Sequence, residues 1–381
     1  MLYKINIPNG PLIIVKHIES PTLFGMYVAT QGIQQERAGK EGVAHLSEHL
    51  NVRVKLSHGS NVNKAYMING FTKRQYTGYT INTLSANAND VIDLFLNFHD
   101  QYENIYGFEA YIAKEIQNIS FENKAAKSNM STVVIDKMHI EMCHDNSFGN
   151  SMLSDKLREL SVKDVFDFLN DSNKSTHILI LIGDISDSKY KPLMEPSDQI
   201  IYKFPQNDIN FVSDSSVTGN SGYCFSVGIP VYNVTSYKQL QCANIFTTML
   251  INKLRKIFSK SIKSICSLYS NCILIQLYGA VTSPISTDKL KTIIMSELSL
   301  INETNAWEEL FDFSVHECIF NVFQKSNLSE YIANFILNSM LILNDDTDLN
   351  KSLVQLSEIS FDDIKSFSKS ITESDIHITI I

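Results

Sequence analysis

Cysteine is scarce in this chain: six residues in 381, at 143, 224, 242, 266, 272 and 318, and no CxxC pair. That is too few for a disulfide scaffold at this length. They are expected to be reduced thiols filling core positions. Long apolar runs are also missing. The longest, residues 178–182 and 272–281, fall far short of the ~20 residues that span a bilayer. The chain opens directly into alternating, strand-like sequence, with no basic segment leading an apolar one, so no secretory signal or Arg-rich transit peptide is expected. A cytoplasmic location with no membrane partner follows. Basic residues are the minority, 32 Lys and Arg against 41 Asp and Glu, a net charge of −9. An acidic surface argues against sequence-independent nucleic-acid binding and favours cationic partners. With 44% hydrophobic residues, 15 Gly and 8 Pro, disordered, collagen-like and coiled-coil classes are excluded. At roughly 150 residues per domain the length suggests two domains.

Local signals give a coarse map. Residues 3–7 and 12–15 read as a hairpin around Asn9-Gly10, and residues 24–29 as a further strand. A helical pattern after Gly39 carries His45 to His49, and residues 72–84 read as one strand. Residues 91–98 form an amphipathic helix, and residues 107–143 a long helical stretch without proline. A repeat then emerges. Ser161, Asp164, Val165 and Phe168 share their spacing with Ser360, Asp363, Ile364 and Phe367. Each set reads as a Ser N-cap, an acidic first turn and an apolar face. Each is followed by a β run, at residues 177–180 and 377–380. The expected fold is therefore α+β, built from two homologous domains, each a mostly antiparallel sheet covered by helices. The predicted divisions are residues 1–190, a linker at 191–218 with turn-rich composition, and residues 219–381.

The sharpest motif is Gly42-Val43-Ala44-His45-Leu46-Ser47-Glu48-His49-Leu50. On a helix His45 and His49 lie one turn apart and face the same way, the spacing two imidazoles need to grip one Zn²⁺. Glu48 sits on an adjacent face, able to reach a water on the metal without being a ligand. The order is the inverted zinc motif, His-x-x-Glu-His. Zinc lowers a water's pKa toward ~7, so a carboxylate can take its proton. The remaining histidines, among them His139, His144, His177 and His377, read as structural.

With its surroundings, the motif resembles the insulinase/pitrilysin family of zinc peptidases, including small bacterial processing-peptidase-like subunits. Asn69-Gly70-Phe71-Thr72, then Thr77 and Tyr79, is similar to the family's Asn-Ala-x-Thr…Thr-x-Tyr strand, with Gly70 in place of Ala. Residues 145–149 and 182–185 are similar to segments that follow. The resemblance implies a third ligand, a Glu some 75 residues past the second His, and another Glu seven residues before it. Glu122 and Glu115 fit, 73 and 66 residues past His49, with Glu109 a rival for the earlier position. Glu122 is accordingly expected as the metal ligand and Glu115 as a supporting catalytic carboxylate. The resemblance further implies that the edge strand with Asn69, Gly70 and Thr72 binds an extended peptide. Arg255 matches the Arg of a substrate- and oxyanion-binding Arg-Tyr pair, but Ile262 stands where the Tyr belongs, and Tyr269 could replace it only through a local insertion. Family members close a chamber from four domains, and this chain supplies two, one half of a clamshell. A homologous partner subunit is therefore expected, a heterodimer rather than a homodimer. The implied function is zinc-dependent cleavage of peptides, among them leader peptides of a modified peptide product. The competing expectation is a catalytically silent or peptide-binding subunit.

Overall fold

The alternation at the start of the chain becomes a hairpin in which Asn9 adopts φ +60° and the Gly10 amide donates to Ile7 O at 3.0 Å. A computed structural model of the chain describes residues 2–56, 67–98, 108–143, 147–172, 175–197, 209, 211, 221–258, 261–270, 272–301, 307–343, 349–372 and 375–381. Most of the linker expected at 191–218 lies outside these residues, as does His144.

Seven strands form the first sheet: β1 (Leu2–Ile5), β2 (Leu12–His17), β3 (Thr22–Ala29), β4 (Met67–Thr72), β5 (Thr77–Leu84), β6 (His177–Gly183) and β7 (Met194–Pro196). Their order is β4-β5-β3-β6-β2-β1-β7, antiparallel except where β2 runs parallel to β6. The strand expected at 72–84 is a hairpin, β4 and β5, joined where Lys73 N donates to Tyr76 O at 2.8 Å. The helices between β3 and β6 in the chain are α1 (Val43–Leu50), α2 (Ala88–Leu96), α3 (Phe108–Lys127), α4 (Met130–Met142) and α5 (Val162–Ser172). The helical stretch expected across 107–143 is broken, and Asn129 caps the second piece by accepting from Ser131 N at 3.0 Å.

Four strands form the second sheet: β8 (Ser221–Tyr232), β9 (Lys263–Leu268), β10 (Cys272–Ser286) and β11 (His377–Ile380), in the order β11-β8-β10-β9, all antiparallel. The later helices are α6 (Tyr237–Ile257), α7 (Thr287–Leu300), α8 (Glu308–Lys325), α9 (Ser329–Ile336), α10 (Leu349–Glu358) and α11 (Phe361–Lys369). The chain divides into two units, one of residues 1–125, 146–200 and 329–334, the other of the remainder. Residues 126–145 thus go with the second unit, although the sequence reading puts them in the first domain. The reason is packing: Met138 and Met142 of α4 lie over Gly228 of β8, where a Cβ would meet the Met142 sulfur at 2.5 Å.

The repeated helices fold alike. Ser161 N donates to Asp164 Oδ2 at 2.8 Å, and Asp164 N donates back to Ser161 Oγ at 3.2 Å. In the second copy Ser360 N donates to Asp363 Oδ2 at 2.9 Å and Asp363 N to Ser360 Oγ at 3.2 Å. Each helix then leads into a strand of its own sheet, β6 and β11.

Two clusters of apolar side chains frame the first unit. On one face of the sheet Tyr27 of β3 stacks on Phe95 of α2 at 4.7 Å, with Val91 and Ile92 beside them. The other cluster joins Ala44, Leu46 and Leu50 of α1 to Ile112 and Ile119 of α3 and Val165 and Phe168 of α5. Leu46 and Leu50 are fully buried, each worth about 1.5–3 kcal/mol. This apolar side fixes α1, so its polar side is held in one orientation.

Candidate metal centre

Helix α1 turns His45, Glu48 and His49 toward a cavity of about 460 Å³, whose lining also includes Asn69 and Gly70 of β4 and Glu115 and Glu122 of α3. The imidazoles are edge-on, ring centres 4.8 Å apart. Glu122 Oε2 lies 3.7 Å from His45 Nε2 and 3.5 Å from His49 Nε2. Among the described residues these three form the one group of His, Cys, Asp or Glu side chains whose donor atoms all fall within 4.8 Å of one another. A tetrahedral zinc with bonds of ~2.0–2.1 Å needs donors about 3.4 Å apart. Two imidazole nitrogens and one carboxylate oxygen at these separations fit zinc, and Glu122 is exposed, leaving the open side of the group toward solvent.

Glu115 is buried beneath the second histidine. Its Oε2 lies 3.2 Å from His49 Nδ1 and accepts from Asn118 Nδ2 at 2.8 Å, while its Oε1 lies 3.3 Å from Arg53 Nη1. A carboxylate on Nδ1 fixes the tautomer that leaves Nε2 free as a ligand. Arg53 also stands over the Tyr111 ring at 5.5 Å. The rival Glu109 is absent from this cavity lining and is exposed.

Burial sets the electrostatics. It pulls His45 down to about 4, helped by the charge of His49. Burial likewise pushes Glu48 up to about 7, against the attraction of His49 and with repulsion from Glu122. Glu48 Oε2 stands 3.9 Å from His45 Nε2. Its other oxygen presses on β4: a Cβ at Gly70 would come within 1.9 Å of Glu48 Oε1. A side chain at position 70 would therefore have to displace the Glu48 carboxyl from this resting place. Thr72 is buried on the same strand.

Other expected residues fall as follows. β4 is an edge of its sheet, with Asn69 and Gly70 opposite Thr80 and Tyr79 of β5. Arg255 belongs to the second unit, where its Nε donates to Ile262 O at 3.0 Å. Ile262 is fully buried against Gly279. Tyr269 follows β9 and precedes β10. It lies past the far end of β9, roughly 20 Å of strand from position 262. The structural histidines find other partners: His177 stacks on Tyr27 at 5.6 Å and His377 meets Glu141 at 3.2 Å.

Three functional neighbours escape the sequence reading. Arg53 carries a signal, four residues past His49 on the same face. Asn118 is three residues past Glu115, also one turn. Glu36 carries none: it lies in the loop before α1, and its buried carboxylate accepts from the amides of Gly42 and Ala44 at 2.9 and 3.0 Å.

Residues 18–156 match the family model described as Insulinase (Peptidase family M16). No curated protein matches the chain. Solved structures agree with the whole chain in fold. A protease from Helicobacter pylori matches with TM-score 0.76 at 14% identity, over 99% of this chain and 98% of that one. A protein described as an M16-like peptidase from Alicyclobacillus acidocaldarius matches with TM-score 0.71 at 12% identity, over 99% and 97%. A peptidase M16 inactive domain from Pseudomonas fluorescens matches with TM-score 0.69 at 11% identity, over 99% and 97%. Residues 18–156 thus resemble an insulinase-like M16 domain, and no described helix is long and apolar enough to cross a membrane.

Proposed function

We propose that this chain is the metal-bearing subunit of a zinc-dependent endopeptidase, with His45, His49 and Glu122 as ligands. The observation that carries the reading is the convergence of those three donors, at 3.5 and 3.7 Å from Glu122, beside a buried carboxyl poised near neutrality. Zinc would supply Lewis-acid chemistry, polarising a peptide carbonyl and acidifying a water. The protein's own residues do the rest. Glu48 takes the attacking water's proton and delivers it to the leaving amide nitrogen, and a pKa near the working pH suits both transfers. Glu115 keeps the His49 Nδ1 proton in place, and Arg53 and Asn118 keep Glu115 in place. The peptide adds to the free edge of β4 beside Asn69 and Gly70, held through its backbone, so side-chain selectivity is broad. Leader segments of modified peptides are substrates of this kind.

A partner belongs to the same proposal. Arg255 is tied to a backbone carbonyl, and the neighbouring Ile262 offers no hydroxyl. A homologous subunit carrying an Arg-Tyr pair would complete oxyanion stabilisation, whose loss costs ~10²–10³ in turnover. The same observation favours a second reading, a silent subunit of such a complex. The test is peptide cleavage by the zinc-loaded chain, alone and with a homologous subunit that carries an Arg-Tyr pair. The proposal expects feeble cleavage alone and recovery on mixing, abolished by Glu48→Gln. Cleavage by the mixture that survives Glu48→Gln would assign the chemistry to the partner.

A further inference from the structure

Helix α1 has an unusual start. Its N-cap is Gly42, at φ +94°, which has no side chain to offer the orphan amides of the first turn. Another residue at 42 would be strained there, and its Cβ would strike Leu157 at 2.9 Å. The amides are instead satisfied from a distance. Glu36 Oε1 accepts from both Gly42 N and Ala44 N, at 2.9 and 3.0 Å. Glu36 Oε2 accepts from Asn150 Nδ2 at 3.2 Å. Asn150 O in turn accepts from Arg74 Nη1 at 3.1 Å, and Arg74 also donates to Phe148 O and faces the Phe148 ring at 5.4 Å. Arg74 lies in the turn between β4 and β5. A buried polar chain therefore links the first turn of the ligand helix to the hairpin whose strand holds Gly70.

We infer that Glu36 is a positioning residue for the metal centre: it sets the axial position of α1 against β4, and with it the places of His45 and Glu48. The geometry leaves little slack. His45 follows directly after Ala44, whose amide Glu36 holds. The Glu48 carboxyl rests against Gly70, where a Cβ would displace it. Sliding α1 by a fraction of an ångström along its axis changes both the His45–Glu122 separation and the Glu48–Gly70 contact. The apolar side of α1 resists tilting through Leu46 and Leu50, but slippery aliphatic contacts fix axial position less well than directed hydrogen bonds.

This inference rests on reading His45, His49 and Glu122 as a zinc site. Zinc affinity by chelator competition, the visible spectrum of the Co²⁺-substituted protein and hydrogen exchange of the α1 amides test it together. Glu36→Ala is expected to weaken zinc binding about 10- to 100-fold, to alter the Co²⁺ spectrum and to speed exchange at residues 43–50. Should Glu36→Ala fail to fold, Glu36→Asp, one methylene shorter, carries the same expectation. Glu36→Gln keeps an acceptor for both amides and is expected to restore affinity and spectrum. Ser236→Ala, which removes the cap of α6, serves as the control for a merely structural loss and should leave zinc unchanged. Wild-type zinc affinity and spectrum in Glu36→Asp would overturn the inference. A wild-type chain that takes up no zinc would instead sink the metal reading, and unchanged exchange at residues 43–50 in Glu36→Ala or Glu36→Asp would then overturn the inference by itself.

Discussion

Helices α1 and α6 hold equivalent places in the two halves. The strand order β4-β5-β3-β6 recurs as β9-β10-β8-β11, with α1 between β3 and β4 and α6 between β8 and β9. The two helices are nevertheless built differently. α6 spans 21 residues and caps itself: Ser236 Oγ accepts from Gln239 N at 3.3 Å, and Gln239 Oε1 accepts from Ser236 N at 3.2 Å. Its buried side is mainly aliphatic and aromatic, with Ile245, Phe246, Met249 and Leu250. α1 spans eight residues, borrows its cap from Glu36 and buries Glu48. A local capping box and a long apolar stripe suffice to make a stable helix. A short helix with buried ionisable groups needs support from outside itself. The same scaffold therefore serves stability in the second half and a polar constellation in the first.

That contrast can be broken at the ligands, where the largest effect is expected. His49→Ala should weaken zinc binding by more than a hundredfold in chelator competition, since two donors remain of three. Arg255→Ala, in the second half, should leave zinc binding unchanged. Equal losses in both would mean that the halves do not differ in metal chemistry. Next in size is Glu48→Gln, assayed in the complete complex. Cleavage should fall ~10²–10⁴-fold with zinc content intact, and undiminished turnover would remove Glu48 from proton transfer.

A smaller effect sharpens the difference in capping. Burial raises the Glu36 carboxyl from 4.5 to about 7, against the three hydrogen bonds that lower it. Between those values the folded chain holds a proton that the unfolded chain has released. The Glu36 contribution to stability then falls as pH rises through that window, by up to about 3 kcal/mol. In denaturant melts from pH 4.5 to 7 the stability of the wild type relative to Glu36→Gln should fall by that amount, since Glu48 and His45 titrate in both proteins. An identical slope in the variant would place the titrating group elsewhere. The smallest effect concerns the repeated caps. Ser161→Ala and Ser360→Ala should each cost ~1 kcal/mol, equally within error, because their hydrogen-bond lengths match. A difference of several kcal/mol would show that the two copies are alike in geometry only.

Much of this arrangement is legible in the sequence. Periodicity and caps locate α5 and α11 because both signals are local, and the His45, Glu48 and His49 spacing survives because one helical turn brings it together. The hairpin at 73–76 is hidden because no Gly or Asn-Gly marks it: the turn is held by burial of Arg74 and Gln75 and by Arg74's grip on residues 148–150. The break at Asn129 is subtle for a similar reason, a single capping side chain in a stretch without Gly or Pro. Glu36 is invisible because its partners are backbone amides six and eight residues away across a loop, contacts that carry no side-chain pattern. The role of Gly70 also needs three dimensions, since only the fold shows what fills the space a Cβ would take.

The central claim, that the first half holds one zinc on His45, His49 and Glu122, is tested most directly by metal content at equilibrium. The full chain is dialysed against buffered Zn²⁺ and measured by atomic emission, alongside Glu48→Gln and a His45→Ala, His49→Ala double variant whose fold is verified by circular dichroism. The account predicts one zinc per chain in the wild type and in Glu48→Gln, and none in the double variant. No zinc in the wild type, or a full equivalent in the double variant, would contradict it.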